Sequence, residues 1–347
     1  MSIVIPFYNG MFILARCLSS LSPCACDGAW EVIVVHDGSA LPAMDYRWPR
    51  PDVPLKMLHL DRQRGQSAAT NAGIRAAQGE YVLLFAQDML AAPALLHAHM
   101  QAHRQRPDGN WAILGAMPFA PEIVDSDFYD FLLTGPQFAF KQFVQGEYRD
   151  AVADGQELSP AQCFYAPNIS LKRQVLFDAG LFDEDLPYGA QDLELGYRLQ
   201  QRGLHLQYNE AACAGHYHKY TLESFCQKQE VVGRTLKTVY AKAPALRNDR
   251  VGDVYHALQP YETVVAAMRQ FIHDGDGNRP LCFDGGALPD IPVPLFQNVR
   301  QIWQKSRDCV NGMRPDQVPM VLLRSLRYLF YKILVSYSLG KGFLSAK

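Results

Sequence analysis

Arg64–Asp88 reads RGQSAATNAGIRAAQGEYVLLFAQD. Its first half, Ser67–Ala77, carries small and apolar residues at helical spacing, with Gly79 just beyond its end. Its second half, Tyr81–Phe85, is an unbroken apolar run closed by Ala86-Gln87-Asp88. A helix leading into a strand that is apolar on both faces belongs to a parallel sheet covered on both sides. The same alternation runs upstream. Ser2–Pro6 is a β-rich strand ending in Pro6-Phe7-Tyr8-Asn9-Gly10, and Met11–Leu21 has helical periodicity. Trp30–Val35 is a second apolar strand, stopping at His36-Asp37-Gly38-Ser39, and Lys56–Leu60 is a third. Downstream, Pro93–Arg104 reads as a helix. The fold class is therefore α/β, with a parallel sheet covered by helices on both faces. Open sheets of this kind bind ligands beyond the carboxyl ends of their strands. Asn9, Asp37 and Asp88 close three of the strands and are expected on one rim.

The rest of the chain continues the pattern with interruptions. Asp125–Gln162 is less periodic and rich in aromatics and acids, as an acceptor-facing insertion or as irregular packing. Phe164–Leu171 reads as a strand, Asp192–Arg202 as an amphipathic helix ended by Gly203, Leu204–Asn209 as a strand and Ser224–Lys242 as a helix. After Pro244 the texture changes, and Pro280–Pro294 is rich in Pro and Gly between helical stretches. The expected organisation is an α/β domain over residues 1–244 and a mostly helical C-terminal extension over 245–347.

Composition excludes several classes. With 48% hydrophobic and 20% charged residues the chain reads as a soluble globular protein. A formal net charge of -2 offers no global basic field for nucleic acid. The 8 cysteines are scattered, the chain is long enough to need no disulfide staples, and no signal peptide precedes them. Reduced thiols and a cytoplasmic location follow. Cys24 and Cys26 form a lone CxC without a second pair at zinc-site spacing. No apolar run reaches the roughly 20 residues that span a bilayer. Val318–Leu339 comes nearest, interrupted by Arg324, Arg327 and Lys332. Met320–Leu339, with Val321, Leu322, Leu326, Leu329, Phe330 and Ile333 among those basic residues, reads as a basic amphipathic helix suited to peripheral contact with a membrane face, or to simple packing on the catalytic domain.

Four segments carry chemistry, each with a plainer reading beside it. Asp37 could accept a hydrogen bond from a nucleobase N–H while Gly38 lets the backbone approach, or Asp-Gly is a turn. The small residues after Arg64 open a helix whose N-terminus, with Arg64, favours a diphosphate, or they pack tightly below a solvated arginine. Asp88 could hold a divalent cation against that diphosphate, or stand as an exposed loop acid. Asp192 could accept the proton of an attacking hydroxyl, or cap its helix. His97, His99 and His103 read as a solvated helix face. No Gly-x-Gly-x-x-Gly follows the first strand, against a dinucleotide-binding dehydrogenase. Phe7-Tyr8-Asn9-Gly10 stands where a nucleotidyltransferase would carry a Gly-rich basic loop.

Taken in order, Ser2–Gly10 (SIVIPFYNG), His36–Ser39 (HDGS), Arg64–Asp88, Pro167–Leu171 (PNISL), Gly180–Gly203 (GLFDEDLPYGAQDLELGYRLQQRG) and Ala214–Phe225 (AGHYHKYTLESF) resemble the family-2 glycosyltransferases of GT-A fold over about residues 1–240. The resemblance implies a Rossmann-like, mainly parallel sheet flanked by helices, a nucleoside-diphosphate sugar donor, UDP-sugar favoured, a glycan, lipid-linked or other hydroxyl acceptor, transfer with inversion, and Mn²⁺ or Mg²⁺ as cofactor. Polysaccharide or cell-surface glycan synthesis would be the setting. Pro6, Tyr8, Asn9 and Asp37 would form the nucleoside pocket, with Arg64, Gln87 and Asp88 on the rest of the donor. Asp88 and His216 would hold the metal, and Asp192 would be the catalytic base. His216 and His218 alternate along an extended segment, so only one, His216, is expected to enter the site. Two positions depart from the family pattern. Ala86 stands where the first acid of Asp-x-Asp is usual, which keeps open a non-catalytic sugar-nucleotide or glycan-binding module of the same fold. Gln191 replaces an acid before the base, which removes a negative charge beside Asp192.

Overall fold

The computed structural model describes residues 1–21, 24, 28–38, 53–106, 108–134, 157–186, 188–247, 256, 259, 262–273 and 320–346. Ser39, residues 135–156 of the aromatic, acidic stretch and the Pro/Gly-rich 280–294 lie outside them. The chain divides into two compact units, Met1–Asp125 with Pro136–Lys219, and Ser126–Gly135 with Tyr220–Lys347.

The first unit is built on a seven-stranded sheet. Its strands are β1 (Ser2–Phe7), β2 (Glu31–His36), β3 (Leu55–His59), β4 (Tyr81–Phe85), β6 (Trp111–Gly115), β7 (Asn168–Lys172) and β8 (His205–Asn209), in the order β3-β2-β1-β4-β7-β6-β8. Helices α1 (Met11–Leu21), α2 (Gln66–Ala76), α3 (Leu95–Arg104), α5 (Pro160–Cys163), α6 (Arg173–Asp178) and α7 (Gln191–Gln201) accompany it. The strands β1, β2, β3 and β4 pair in parallel, as do β6 and β8. β7 runs antiparallel between β4 and β6, so the sheet is mainly rather than wholly parallel. The expected strand Phe164–Leu171 starts only at Asn168, because Ala166 and Pro167 form a turn before it. A two-stranded ribbon, β5 (Met89–Ala91) against β9 (Ala214–His216), extends from the end of β4.

Burial explains the apolar runs. Ile3, Val4 and Ile5 of β1, Val32–Val35 of β2 and Val82–Phe85 of β4 are buried, so these strands have no solvated face. Helix α2 approaches β1 and β2 so closely that a Cβ on Gly73 would collide with Val4 Cγ1 and lie 3.1 Å from Val35 Cγ2. Alanine is a better helix former than glycine by roughly 1 kcal/mol. Gly73→Ala is nonetheless expected to lower stability, by about 1–3 kcal/mol, because overpacking displaces the strand side chains. Urea denaturation would check it, and a stabilised variant would contradict this packing.

The described cysteines Cys17, Cys24, Cys163, Cys213 and Cys226 are free thiols. The histidines of α3 divide. His97 is exposed, but His99 and His103 are buried rather than solvated. They lie one turn apart and face Asn168 and Ser170, two residues apart on β7. His99 Nε2 lies 3.0 Å from Asn168 Oδ1, and Ser170 Oγ lies 2.8 Å from both His99 Nδ1 and His103 Nε2. Asn168 Nδ2 donates onward to the carbonyls of Ala116 and Ala212, at 3.1 and 2.9 Å. Apart from His103 Nδ1, which has no hydrogen-bond partner, the polar atoms of this network answer one another inside the sheet–helix interface, which lets them be buried.

In the second unit, α4 (Asp127–Thr134), α8 (Leu222–Lys242), α9 (Glu262–His273) and α10 (Met320–Ser345) are helical. A capping box between Thr221 and Ser224 starts α8. Phe330, Ile333, Leu334 and Val335 of α10 are buried, and Tyr331 stacks edge-on against Phe128 of α4 at 5.1 Å. Phe330 and Ile333, offered above to a membrane face, are therefore core residues of this unit. No helix of the described residues is long and apolar enough to cross a membrane.

Candidate active site

Asn9, Asp37 and Asp88 follow the carboxyl ends of β1, β2 and β4, which are neighbouring parallel strands. They stand on one rim of the sheet, as their strand-closing positions predict.

At the end of β1, Pro6 lies opposite Val35 and Tyr8 is exposed. The turn after them is held by Gln87. Its Oε1 accepts the Tyr8 N–H at 3.0 Å, and its Nε2 donates to the Asn9 carbonyl at 3.0 Å. Asn9 has φ 60 and Gly10 φ 81, a left-handed turn that brings the chain straight into α1.

At the end of β2, Asp37 is 3% exposed, and its N–H donates to the Phe7 carbonyl at 2.8 Å. Its carboxylate accepts the Arg64 N–H at 2.7 Å and the Gly65 N–H at 2.9 Å. Asp37 thus fixes the approach to α2. Gly38 has φ +64, and a Cβ there would lie 2.5 Å from Gln63 N, so only glycine allows this contact. Gly65 stands at the N-cap of α2 and supplies no side chain to it. The helix N-terminus therefore offers its partial positive charge at the rim.

Arg64 is exposed, but it is paired. Its Nη2 lies 2.7 Å from Glu184 Oε2, in the turn after Phe182. Glu184 Oε1 also accepts from Asn71 Nδ2 at 3.0 Å and Arg75 Nη1 at 3.3 Å. The Asn71 hydrogen bond, opposed by partial burial and aided by the two arginines, holds the Glu184 carboxyl below its ordinary range.

At the end of β4, the Ala86 N–H donates to the Pro167 carbonyl at 3.1 Å, and the Asp88 carbonyl accepts the Tyr217 N–H at 2.7 Å. The ribbon sets Met89 opposite His216. His216 Nε2 lies 3.5 Å and His218 Nδ1 3.0 Å from the same oxygen, Asp88 Oδ2. Alternation would have sent the two rings to opposite faces. The ribbon ends at His216, extended pairing ceases, and both rings reach one carboxylate with centroids 6.0 Å apart. Burial alone would raise the Asp88 carboxyl. The hydrogen bonds and charge of His216 and His218 outweigh it and hold the group far below the usual carboxylate range.

Asp192 lies in the first turn of α7, after Gly189 at φ 77 and Ala190 at φ 65. Its Oδ2 accepts the Ala166 N–H at 3.1 Å, immediately before the Pro167 that pairs with Ala86. Ala190, not Asp192, is the N-cap, so the capping reading does not describe it. Gln191 turns instead to α2, its Nε2 3.2 Å from Gln66 Oε1.

The donor set at Asp88 is one carboxylate with imidazole nitrogens. Such a mixture suits the softer Mn²⁺ better than Mg²⁺, which prefers oxygen ligands. His216 and His218 each face the Asp88 carboxylate, and among the described residues no group of three or more His, Cys, Asp or Glu is placed to hold a metal ion. Asp88 and His216 could contribute to a metal site that substrate phosphate oxygens complete.

A mainly parallel sheet with this strand order, a carboxylate at the end of β4 and an antiparallel ribbon beyond it define a GT-A-type fold. Residues 2–116 match the family model described as glycosyl transferase family 2. The chain is 30% identical over 240 residues to an uncharacterized glycosyltransferase, YfnE, of Bacillus subtilis (strain 168), covering 58% of this chain and 61% of that one. A chondroitin synthase of Escherichia coli is 29% identical over 240 residues, covering 62% of this chain and 34% of that one. The chain thus spans less than two thirds of either relative's length. Among solved structures, the mannosyltransferase PcManGT from Pyrobaculum calidifontis in complex with GDP-Man and Mn²⁺ aligns with TM-score 0.53 at 18% identity, over 98% of this chain and 86% of that one.

Proposed function

We propose that the protein transfers a sugar from a nucleoside-diphosphate sugar to a hydroxyl acceptor, with inversion at the anomeric carbon. The observation that carries this reading is the convergence on one rim of Asp37, the uncapped start of α2 and Asp88, with Asp192 tied beside them through Ala166. The base and ribose would lie over Pro6, Tyr8, Asn9 and Asp37, with Gln87 holding the turn beneath them. The diphosphate would meet the α2 N-terminus and Arg64. Asp192 would accept the proton of the acceptor hydroxyl as that oxygen bonds to the anomeric carbon and the bond to the diphosphate oxygen breaks. A divalent cation on Asp88 and His216, when bound, neutralises charge on the leaving nucleoside diphosphate. UDP-sugar is the favoured donor, and a chondroitin synthase among the relatives supports a glycan acceptor, as in polysaccharide synthesis. The same reading places the protein in the cytoplasm, with peripheral contact where a lipid-linked acceptor is presented. On this reading the catalytic domain spans residues 1–244, with residues 245–347 as its extension.

The test is a thermal-shift panel of UDP-, GDP- and dTDP-sugars with and without Mn²⁺, paired with an assay for released nucleoside diphosphate. One donor is expected to raise the melting temperature, more strongly with Mn²⁺. Saturation at a hundredfold over Kd corresponds to about 2.7 kcal/mol of stabilisation. Asp88→Ala should remove the Mn²⁺ increment. A panel with no shift would sink the donor reading. Ala86 favours one second reading, a sugar-nucleotide-binding module without catalysis, and donor binding without nucleoside diphosphate release from any sugar would select it.

A further inference from the structure

Glu184 is a polar group near the site that this function leaves without a task. We propose that Glu184 is a built-in competitor of the donor diphosphate for Arg64: it pairs with the guanidinium in the donor-free protein and gives it up when the donor binds. This rests on the donor reading above.

The two ends of the ion pair are held very differently. Asn71 is fully buried, and its amide makes reciprocal bonds with Phe182, Nδ2 to the carbonyl at 2.9 Å and Oδ1 from the N–H at 3.0 Å. The same Nδ2 anchors Glu184 Oε1 at 3.0 Å, with Arg75 at 3.3 Å. One carboxylate oxygen is therefore fixed to the framework whether or not Arg64 is present. The other, Oε2, holds Arg64, whose side chain is 48% exposed. Asp37 secures the Arg64 main chain through its N–H at 2.7 Å. The guanidinium can thus leave Glu184 while its backbone stays at the start of α2. An ion pair this exposed is weak. A diphosphate at the helix N-terminus carries more charge and accepts guanidinium bonds in pairs, so it wins the exchange. Glu184 loses little by it, because Asn71 and Arg75 remain.

A merely structural glutamate would weaken donor binding when removed; a competitor does the opposite. Glu184→Gln retains an oxygen for Asn71 and is expected to bind UDP, GDP or dTDP with Mn²⁺ about two- to fivefold more tightly than the wild type, the range set by an exposed ion pair. Isothermal titration on the full chain reads this, with the melting temperature of the free variant as the folding check. Through-space repulsion between Glu184 and the phosphates would also tighten binding, so the cycle includes Arg64→Ala. If Glu184 acts through Arg64, the gain from Glu184→Gln disappears in the Arg64→Ala background. A gain that persists there, or unchanged or weaker binding by Glu184→Gln in a protein whose wild type binds nucleotide, overturns the proposal and leaves the donor reading standing. Failure of the wild type and both variants to bind UDP, GDP or dTDP overturns both.

Discussion

Asp192→Asn is expected to lower sugar transfer by about 10²–10⁴-fold, the usual cost of removing a positioned general base. The substitution is close to isosteric, and its amide oxygen can still accept the Ala166 N–H that Asp192 Oδ2 accepts at 3.1 Å. The start of α7 should therefore stay where Gly189 and Ala190 put it. What is lost is the charge and basicity that would draw the proton from the acceptor hydroxyl. Donor binding should survive, because Asp37, Arg64 and Asp88 belong to other loops of the rim. Two measurements on one preparation check this: the donor-induced thermal shift and the rate of nucleoside diphosphate release. Near-normal turnover would remove Asp192 from the role of base, and loss of both binding and turnover would make it a structural residue of the pocket.

A comparably large effect is expected on stability in mild acid, at the buried pair on α3. Burial pushes the His99 imidazole down to about 4, opposed by its hydrogen bond to Asn168. Burial, then the neighbouring His99 and Lys172, push His103 down to about 3, opposed by Ser170. Unfolded histidines titrate near 6.5, so between about 6.5 and about 3 the unfolded chain holds protons that the folded one does not. Stability is therefore unaffected above about 7, declines as pH falls through 6.5, and has lost the full contribution of both groups only below about 3. By about pH 5 each histidine should have removed about 2 kcal/mol, or ~4 kcal/mol for the two. Denaturant titration at about pH 7 and pH 5 measures this directly. His99→Gln and His103→Gln should each flatten the dependence even where they lower stability at neutral pH. Equal stability at the two pH values would mean that these imidazoles are not held neutral by the core.

Much of the architecture could be read along the chain, because periodicity of burial is a local property. Met11–Leu21 and Tyr81–Phe85 are found with the expected bounds, and Gln66–Ala76 within one residue of them. Placing Asn9, Asp37 and Asp88 on one rim needed only the rule that parallel strands present their carboxyl ends together. Strand direction is another matter. Apolar content in Ile169 and Leu171 identifies a buried strand whichever way it runs, so the reversal of β7 between β4 and β6 left no mark on the pattern.

Side-chain partnerships divide the same way. Polarity made His99 and His103 look solvated, yet polar residues are buried wherever the facing element answers their hydrogen bonds, and Asn168 and Ser170 do so from 67 to 71 positions away. Arg64 and Glu184 lie 120 positions apart, and neither sits in a local motif that names the other. His216 and His218 obeyed alternation only as far as the ribbon lasted. The elements, their order and the carboxylates at their ends follow from backbone geometry and the burial of apolar faces, which neighbouring residues encode. Which polar group meets which follows from packing between elements distant in the chain, where satisfying a buried donor or acceptor matters more than the character of the segment that carries it.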